Sequence, residues 1–155
     1  MIFEGITLEA PTYIAYAFIG LLLIICSVDD ILRKRIHVKK IIIFTVMLLI
    51  ITPFRTDIGI VECITGIMIG LFVVLIAKIT KGQIGIGDGL ILCVTGLGLG
   101  LWMNLEMLCY AFTFAAIFSM ILLVRNMKNR KRKFPFVPFL FLGYVCCMLF
   151  ESIGS

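Results

Sequence analysis

Long apolar runs separated by short polar stretches make up almost the whole chain. Six runs stand out, at roughly 11–28, 38–54, 58–77, 86–103, 105–124 and 134–150. A helix needs about 20 apolar residues to cross the hydrocarbon core of a bilayer, within a range of roughly 17–25. The pattern therefore predicts an all-α membrane protein with about six transmembrane helices and no separate soluble domain. The second and fourth runs are short or polar at one end. Lys39 and Lys40 can extend their ammonium groups to the surface. Residues 85–89 read as a re-entrant or loop segment sheltered by protein. The first run is not expected to be a removable signal, because it lacks a basic leader and is followed by a basic stop.

Composition agrees with a bilayer as solvent. Of the 155 residues 62% are hydrophobic, and the mean hydropathy is +1.18. A water-soluble chain of this size must cover itself with far more polar surface. Charge then sets the orientation. Arg33, Lys34, Arg35, Lys39 and Lys40 follow the first run. Lys78 and Lys81 follow the third, and Arg125, Lys128, Arg130, Lys131, Arg132 and Lys133 follow the fifth. Of the 14 basic residues only Arg55 falls on the other side. The positive-inside rule puts those three loops in the cytoplasm and both termini outside. The net charge of +5 thus reads as a topology signal that also meets anionic lipid head groups; nucleic acid is not an expected partner.

The same topology sorts the acids. Glu4, Glu9, Asp57, Glu62, Glu106 and Glu151 fall at the outer side, whereas Asp29, Asp30 and Asp88 fall at the cytoplasmic side. Asp88 lies in the stretch Gly85-Ile-Gly-Asp-Gly89 at the start of an apolar run. It reads as an ordinary helix N-cap or as something more. Asp29 and Asp30 end a helix, where the macrodipole disfavours negative charge. Successive helical residues point about 100° apart, so at most one of them faces Asp88. Gly85 and Gly87 would let a backbone approach the acid or let the chain adopt positive φ. Gly66-Ile-Met-Ile-Gly70 and Gly96-Leu-Gly-Leu-Gly100 fit the small-xxx-small packing pattern of membrane helices.

Two aspartates held close share a proton, so that one activates water while the other polarises a carbonyl. Other hydrolytic designs are missing. With one His, no HExxH and no CxxC, neither a catalytic nor a structural zinc site is expected. There is no G-x-S-x-G elbow. The six cysteines read as small apolar packing residues. No metal or other cofactor is expected.

Three blocks then resemble the type IV prepilin peptidases, membrane aspartic proteases of the GxGD type. "DDILRKRIH" is similar to the family's Asp followed by a basic stretch, with Asp30 in register. "GIGDGLIL" is similar to its GxGD motif, and "FPFVPFLFLG" to the Pro-Phe block that opens the last span. His37 stands where the family usually carries Pro, Leu90 where many members carry Lys, and Val137 where Gly is frequent. The resemblance implies one multi-pass peptidase domain over residues 1–155, in the cell membrane with its catalytic side cytoplasmic. Asp30 and Asp88 would be its catalytic pair, with Gly85 and Gly87 shaping the loop around Asp88. Pro135, Phe136 and Pro138 would frame a substrate groove, although Pro at a helix start also serves as simple punctuation. The implied substrates are prepilins or pilin-like precursors, which lose a short cytoplasmic leader. The chain lacks the paired-CxxC insertion of longer members, so no N-methyltransferase activity is expected. Two other readings stay open: a small membrane scaffold, and a transporter component that binds protons or cations at membrane-edge acids.

Overall fold

A computed structural model of the chain describes residues 2–33, 38–55, 57–80, 85–125 and 135–154. The expectations for Lys34, Arg35, His37, Lys81 and the basic stretch 128–133 lie outside the described residues. The described chain is mostly helical: α1 (Ile2–Arg33), α2 (Val38–Ile51), a 3-10 turn (Thr52–Phe54), α3 (Ile60–Ile79), α4 (Ile86–Arg125) and α5 (Val137–Gly154). Ala10–Leu32, Ile60–Ile79 and Ile86–Leu122 are long and apolar enough to cross a membrane; the apolar stretch Val137–Glu151 is shorter. Large apolar side chains also lie open on the outside, among them Ile43 and Ile50 on α2 and Ile64, Met68 and Phe72 on α3. Both features are consistent with a membrane protein.

Three boundaries differ from the sequence pattern. The second run ends as an α-helix at Ile51 and continues only as the 3-10 turn, where Pro53 has no amide to donate. Residues 86–89 are helical rather than a re-entrant loop, and of the 85–89 stretch only Gly85 precedes the helix. The third difference lies in α4. The pattern separates its two runs at residue 104, but the break falls at Gly100, which has φ 75° and ψ −172°. In a straight helix Leu92 and Asn104 would stand about 18 Å apart along the axis. Instead the Asn104 amide donates to the Leu92 carbonyl at 3.2 Å, and the Thr95 hydroxyl donates to Asn104 Oδ1 at 2.8 Å. The chain therefore reverses at Gly100, and α4 is a hairpin of two arms, 86–99 and 101–125.

Glycine decides how the first arm meets α3. A Cβ on Gly66 would run into the Gly96 carbonyl, and one on Gly70 into the Cys93 backbone. On Gly89 it would reach Val74 Cγ2 at 2.6 Å. These pairs run in opposite directions along the chain, so the two helices are antiparallel and in backbone contact. Gly66 and Gly96 thus pack as the pattern predicts, whereas Gly100 makes the turn. Asn104, fully buried, also donates to the Gly66 carbonyl at 3.4 Å and so ties α3 to both arms. The second arm packs on α5, where a Cβ at Gly143 would strike the Met107 carbonyl. Tyr144 of α5 donates its hydroxyl to the Tyr16 carbonyl of α1 at 2.8 Å.

Arg55 fastens one end of the bundle. Its side chain is 1% exposed, with Nε 3.1 Å from Asp57 Oδ1 and Nη2 2.6 Å from Oδ2. Nη1 donates to the Gly98 carbonyl, near the end of the first arm, where helix carbonyls lose their internal donors. The Tyr16 ring centroid lies 5.3 Å from the guanidinium, and the Thr12 hydroxyl donates to Asp57 at 2.8 Å. The charge that breaks the sequence pattern is thus a clamp across α1, the α2–α3 link and α4.

Two stability outcomes follow. Gly100→Ala forces a side chain into a positive-φ extended region that essentially only glycine adopts and lowers stability by about 1–3 kcal/mol, whereas Gly59→Ala, with open space around it, leaves the midpoint of detergent-solubilised protein nearly unchanged. Burial acts to raise the Asp57 pKa, but the hydrogen bonds from Arg55 and Thr12 and the Arg55 charge outweigh it and hold it below the ordinary carboxylate value. A depressed folded value means that the unfolded chain takes the proton first. The stabilisation is therefore complete above about pH 4 and is lost as pH falls through the lower folded value. A thermal-midpoint series against pH checks this: Asp57→Asn starts lower at neutral pH and lacks that part of the acid-side fall, and parallel curves would refute the clamp.

Candidate functional site

The other end of the bundle gathers the acids that the sequence singles out. On α1, Thr12 and Asp30 are eighteen residues apart, or about 27 Å of helix rise, close to the thickness of a hydrocarbon core. Asp29 and Asp30 lie in the last turns of α1, before Arg33. Asp29 forms an ion pair with Lys40, in the first turn of α2. Asp30 turns a different way and accepts a hydrogen bond from the Val137 amide, at the start of α5, at 3.3 Å. The Phe136 amide acts on the same carboxylate. One residue of rotation thus sends two adjacent acids to two different helices.

The start of α5 explains why Asp30 is received there. The first amides of a helix have no internal partner. Pro135 and Pro138 carry no amide hydrogen. Phe139 and Leu140 donate back to the Phe136 carbonyl at 3.0 and 3.3 Å. The amides of Phe136 and Val137 are what remains; Asp30 accepts from Val137 and feels Phe136, acting as an N-cap supplied by another helix. Its negative charge also suits the positive end of the helix dipole. The Phe136 ring lies against Phe112, centroids 5.4 Å apart. Pro135, Phe136 and Pro138 thus build the helix start that holds Asp30.

Asp88 occupies the first turn of α4, and its amide donates to the Gly85 carbonyl at 3.1 Å. Its side chain folds back over Gly85, where a Cβ would stand 2.8 Å from Oδ2. Gly85 therefore makes room for the carboxylate. Neither Gly85 nor Gly87 uses positive φ; among the described glycines Gly100 alone does. Asp30 and Asp88 are both half-buried, and the Asp30 charge acts on Asp88. No direct hydrogen bond joins the two carboxylates. Elements α1, α4 and α5 thus converge on one pair of like-charged groups, with α2 held alongside through Lys40.

Two contributors escape a reading of the sequence. A backbone amide carries no letter of its own, although the Pro-x-x-Pro spacing around Val137 marks where unpaired donors would be few. Lys40 reads as one more topology charge, and only the packing of α2 on α1 shows its partner. Set against family models, curated proteins and solved structures, the chain matches none.

Removing the acceptor at Asp30 tests the helix-start arrangement. Asp30→Ala leaves the Phe136 and Val137 amides without their partner and lowers stability by about 1 kcal/mol, whereas Asp30→Asn retains a carbonyl acceptor and loses less. Chemical denaturation in detergent, with helicity as readout, separates the two; equal midpoints would remove Asp30 from the cap.

Proposed function

We propose that this chain is a membrane-embedded aspartic endopeptidase that removes the short cytoplasmic leader from prepilins or pilin-like precursors, with Asp30 and Asp88 as the catalytic pair. The proposal is carried by the placement of two half-buried acids on separate helices: Asp30 is received by the Val137 amide at the start of α5, and Asp88 lies over Gly85 in the first turn of α4, with the Asp30 charge acting on it. The resemblance of the "DDILRKRIH", "GIGDGLIL" and "FPFVPFLFLG" blocks to the prepilin peptidases supports it. In this reading the six helical segments, counting the arms of α4 separately, are six spans. Both termini lie outside, and the acid pair lies at the cytoplasmic surface.

The chemistry is that of a carboxyl dyad sharing one proton. The ionised carboxylate removes a proton from water, and the oxygen attacks the scissile carbonyl carbon. The protonated partner gives its proton to the carbonyl oxygen. The tetrahedral diol then collapses, the C–N bond breaks, and the amine of the mature subunit leaves with a proton from the dyad. Gly85 lets the Asp88 carboxylate lie close to the backbone, and the α5 start orients Asp30. A precursor with its apolar segment in the bilayer and its leader in the cytoplasm presents its scissile bond at this depth.

Co-expression with a pilin-like precursor, read by gel mobility and N-terminal sequencing, tests the proposal. Asp30→Asn and Asp88→Asn each lower cleavage by at least a hundredfold at matched membrane levels. Asp29→Asn retains measurable cleavage. Unchanged cleavage in all three variants would refute the dyad, and none by the wild type across several precursors would favour a scaffold.

A further inference from the structure

We propose that Lys40 is a positioning residue for Asp30: its ion pair with Asp29 fixes the roll of α1 and so selects which of two adjacent aspartates enters the site. The inference rests on the peptidase reading above and adds to it a control on the register of the acid pair.

Asp29 and Asp30 are chemically identical and differ by about 100° around the α1 axis. Nothing in the side chains themselves distinguishes them. The helix is near its end at Arg33, where internal hydrogen bonds run out and the last turn winds or unwinds readily. Apolar contact between α1 and α2, such as Phe18 set edge-on to Phe44 at 6.2 Å, is non-directional and tolerates small rotations. The Lys40–Asp29 pair is directional. The Asp29 side chain is 15% exposed and that of Lys40 40%, so the pair is only partly solvated and less screened than a fully exposed one. With Asp29 drawn to α2, Asp30 is left on the face of α1 that meets the Val137 amide and Asp88. A roll of one residue would bring Asp29 to α5 and carry Asp30 away. The two holds on Asp30, Lys40 acting through its neighbour and the α5 amide acting directly, oppose that roll from two helices.

The test uses the full chain in lipid vesicles with a synthetic single-span precursor peptide carrying a short hydrophilic leader. Lys40→Met lowers kcat roughly ten- to hundredfold, the scale expected when a reacting group is displaced by up to about 1 Å, with KM within about twofold. Lys40→Arg stays within about threefold of wild type, since it keeps the charge. The exchange Asp29→Lys/Lys40→Glu recovers most of the kcat that Asp29→Lys alone loses. Wild-type kcat in Lys40→Met, a loss confined to KM, or an exchange no better than its worse single variant would overturn the proposal. A second readout needs no cleavage: disulfide trapping of Asp30→Cys/Val137→Cys, identified by mass spectrometry, falls severalfold when Lys40→Met is added. That fall with no cleavage by the wild type overturns the peptidase reading and leaves the register lock standing. Unchanged trapping overturns the lock whatever the cleavage result.

Discussion

Backbone contact between α3 and the first arm of α4 sets the frame on which the other elements are placed. In lipid there is little hydrophobic force between helices, so close packing and polar ties must hold them. Glycine at 66, 70, 89 and 96 removes the side chains that would hold the axes apart. With the gap closed, Asn104 reaches the Gly66 and Leu92 carbonyls together and pins the second arm across the seam. That arm in turn receives α5 at Gly143. The position of the α5 start, and hence of its unpaired amides, follows from a chain of contacts that begins with four missing side chains.

The two ends of the bundle solve one problem in different ways. At the Arg55 end a fully buried guanidinium is met by a bidentate carboxylate, a helix carbonyl and an aromatic face. Each guanidinium nitrogen there has a hydrogen-bond partner, which is what a buried charge requires. At the Asp30 end two half-buried carboxylates, Asp30 and Asp88, feel each other's charge, an arrangement that needs compensation. The compensation is partial: the α5 amides serve Asp30, and Lys40 serves Asp29 rather than either member of the pair.

Much of this was legible in the apolar pattern. The all-helical fold and the order of its apolar segments follow from run length, and the placing of Asp29, Asp30 and Asp88 at one end follows from the alternation of basic loops. Their shared end required no knowledge of side-chain packing. The pattern puts the reversal at residue 104, four residues beyond Gly100, because apolar residues run unbroken through the turn and the signal there is a backbone angle that only glycine adopts freely. Gly85 and Gly87 do not use positive φ; the missing side chain of Gly85 leaves space for the Asp88 carboxylate instead. Arg55 read as an exception to the charge rule, when the Arg-x-Asp spacing with Asp57 already held half of its explanation. The other half, Gly98 and Tyr16, is long-range and leaves no local trace.

The Arg55 clamp also bears on how such a chain is assembled. Its partners come from four places in the sequence: Tyr16, Thr12 through Asp57, Asp57 itself and Gly98. A chain made from its N-terminus has Asp57 beside Arg55 almost at once, but it lacks Gly98 until α3 and the first arm have followed. Until then one face of the guanidinium has only water or lipid head groups to meet. The contact between Arg55 and the Gly98 carbonyl can therefore form only after α3 and the first arm of α4 have been made, so this end of the bundle closes later in synthesis than the local Arg55–Asp57 pair.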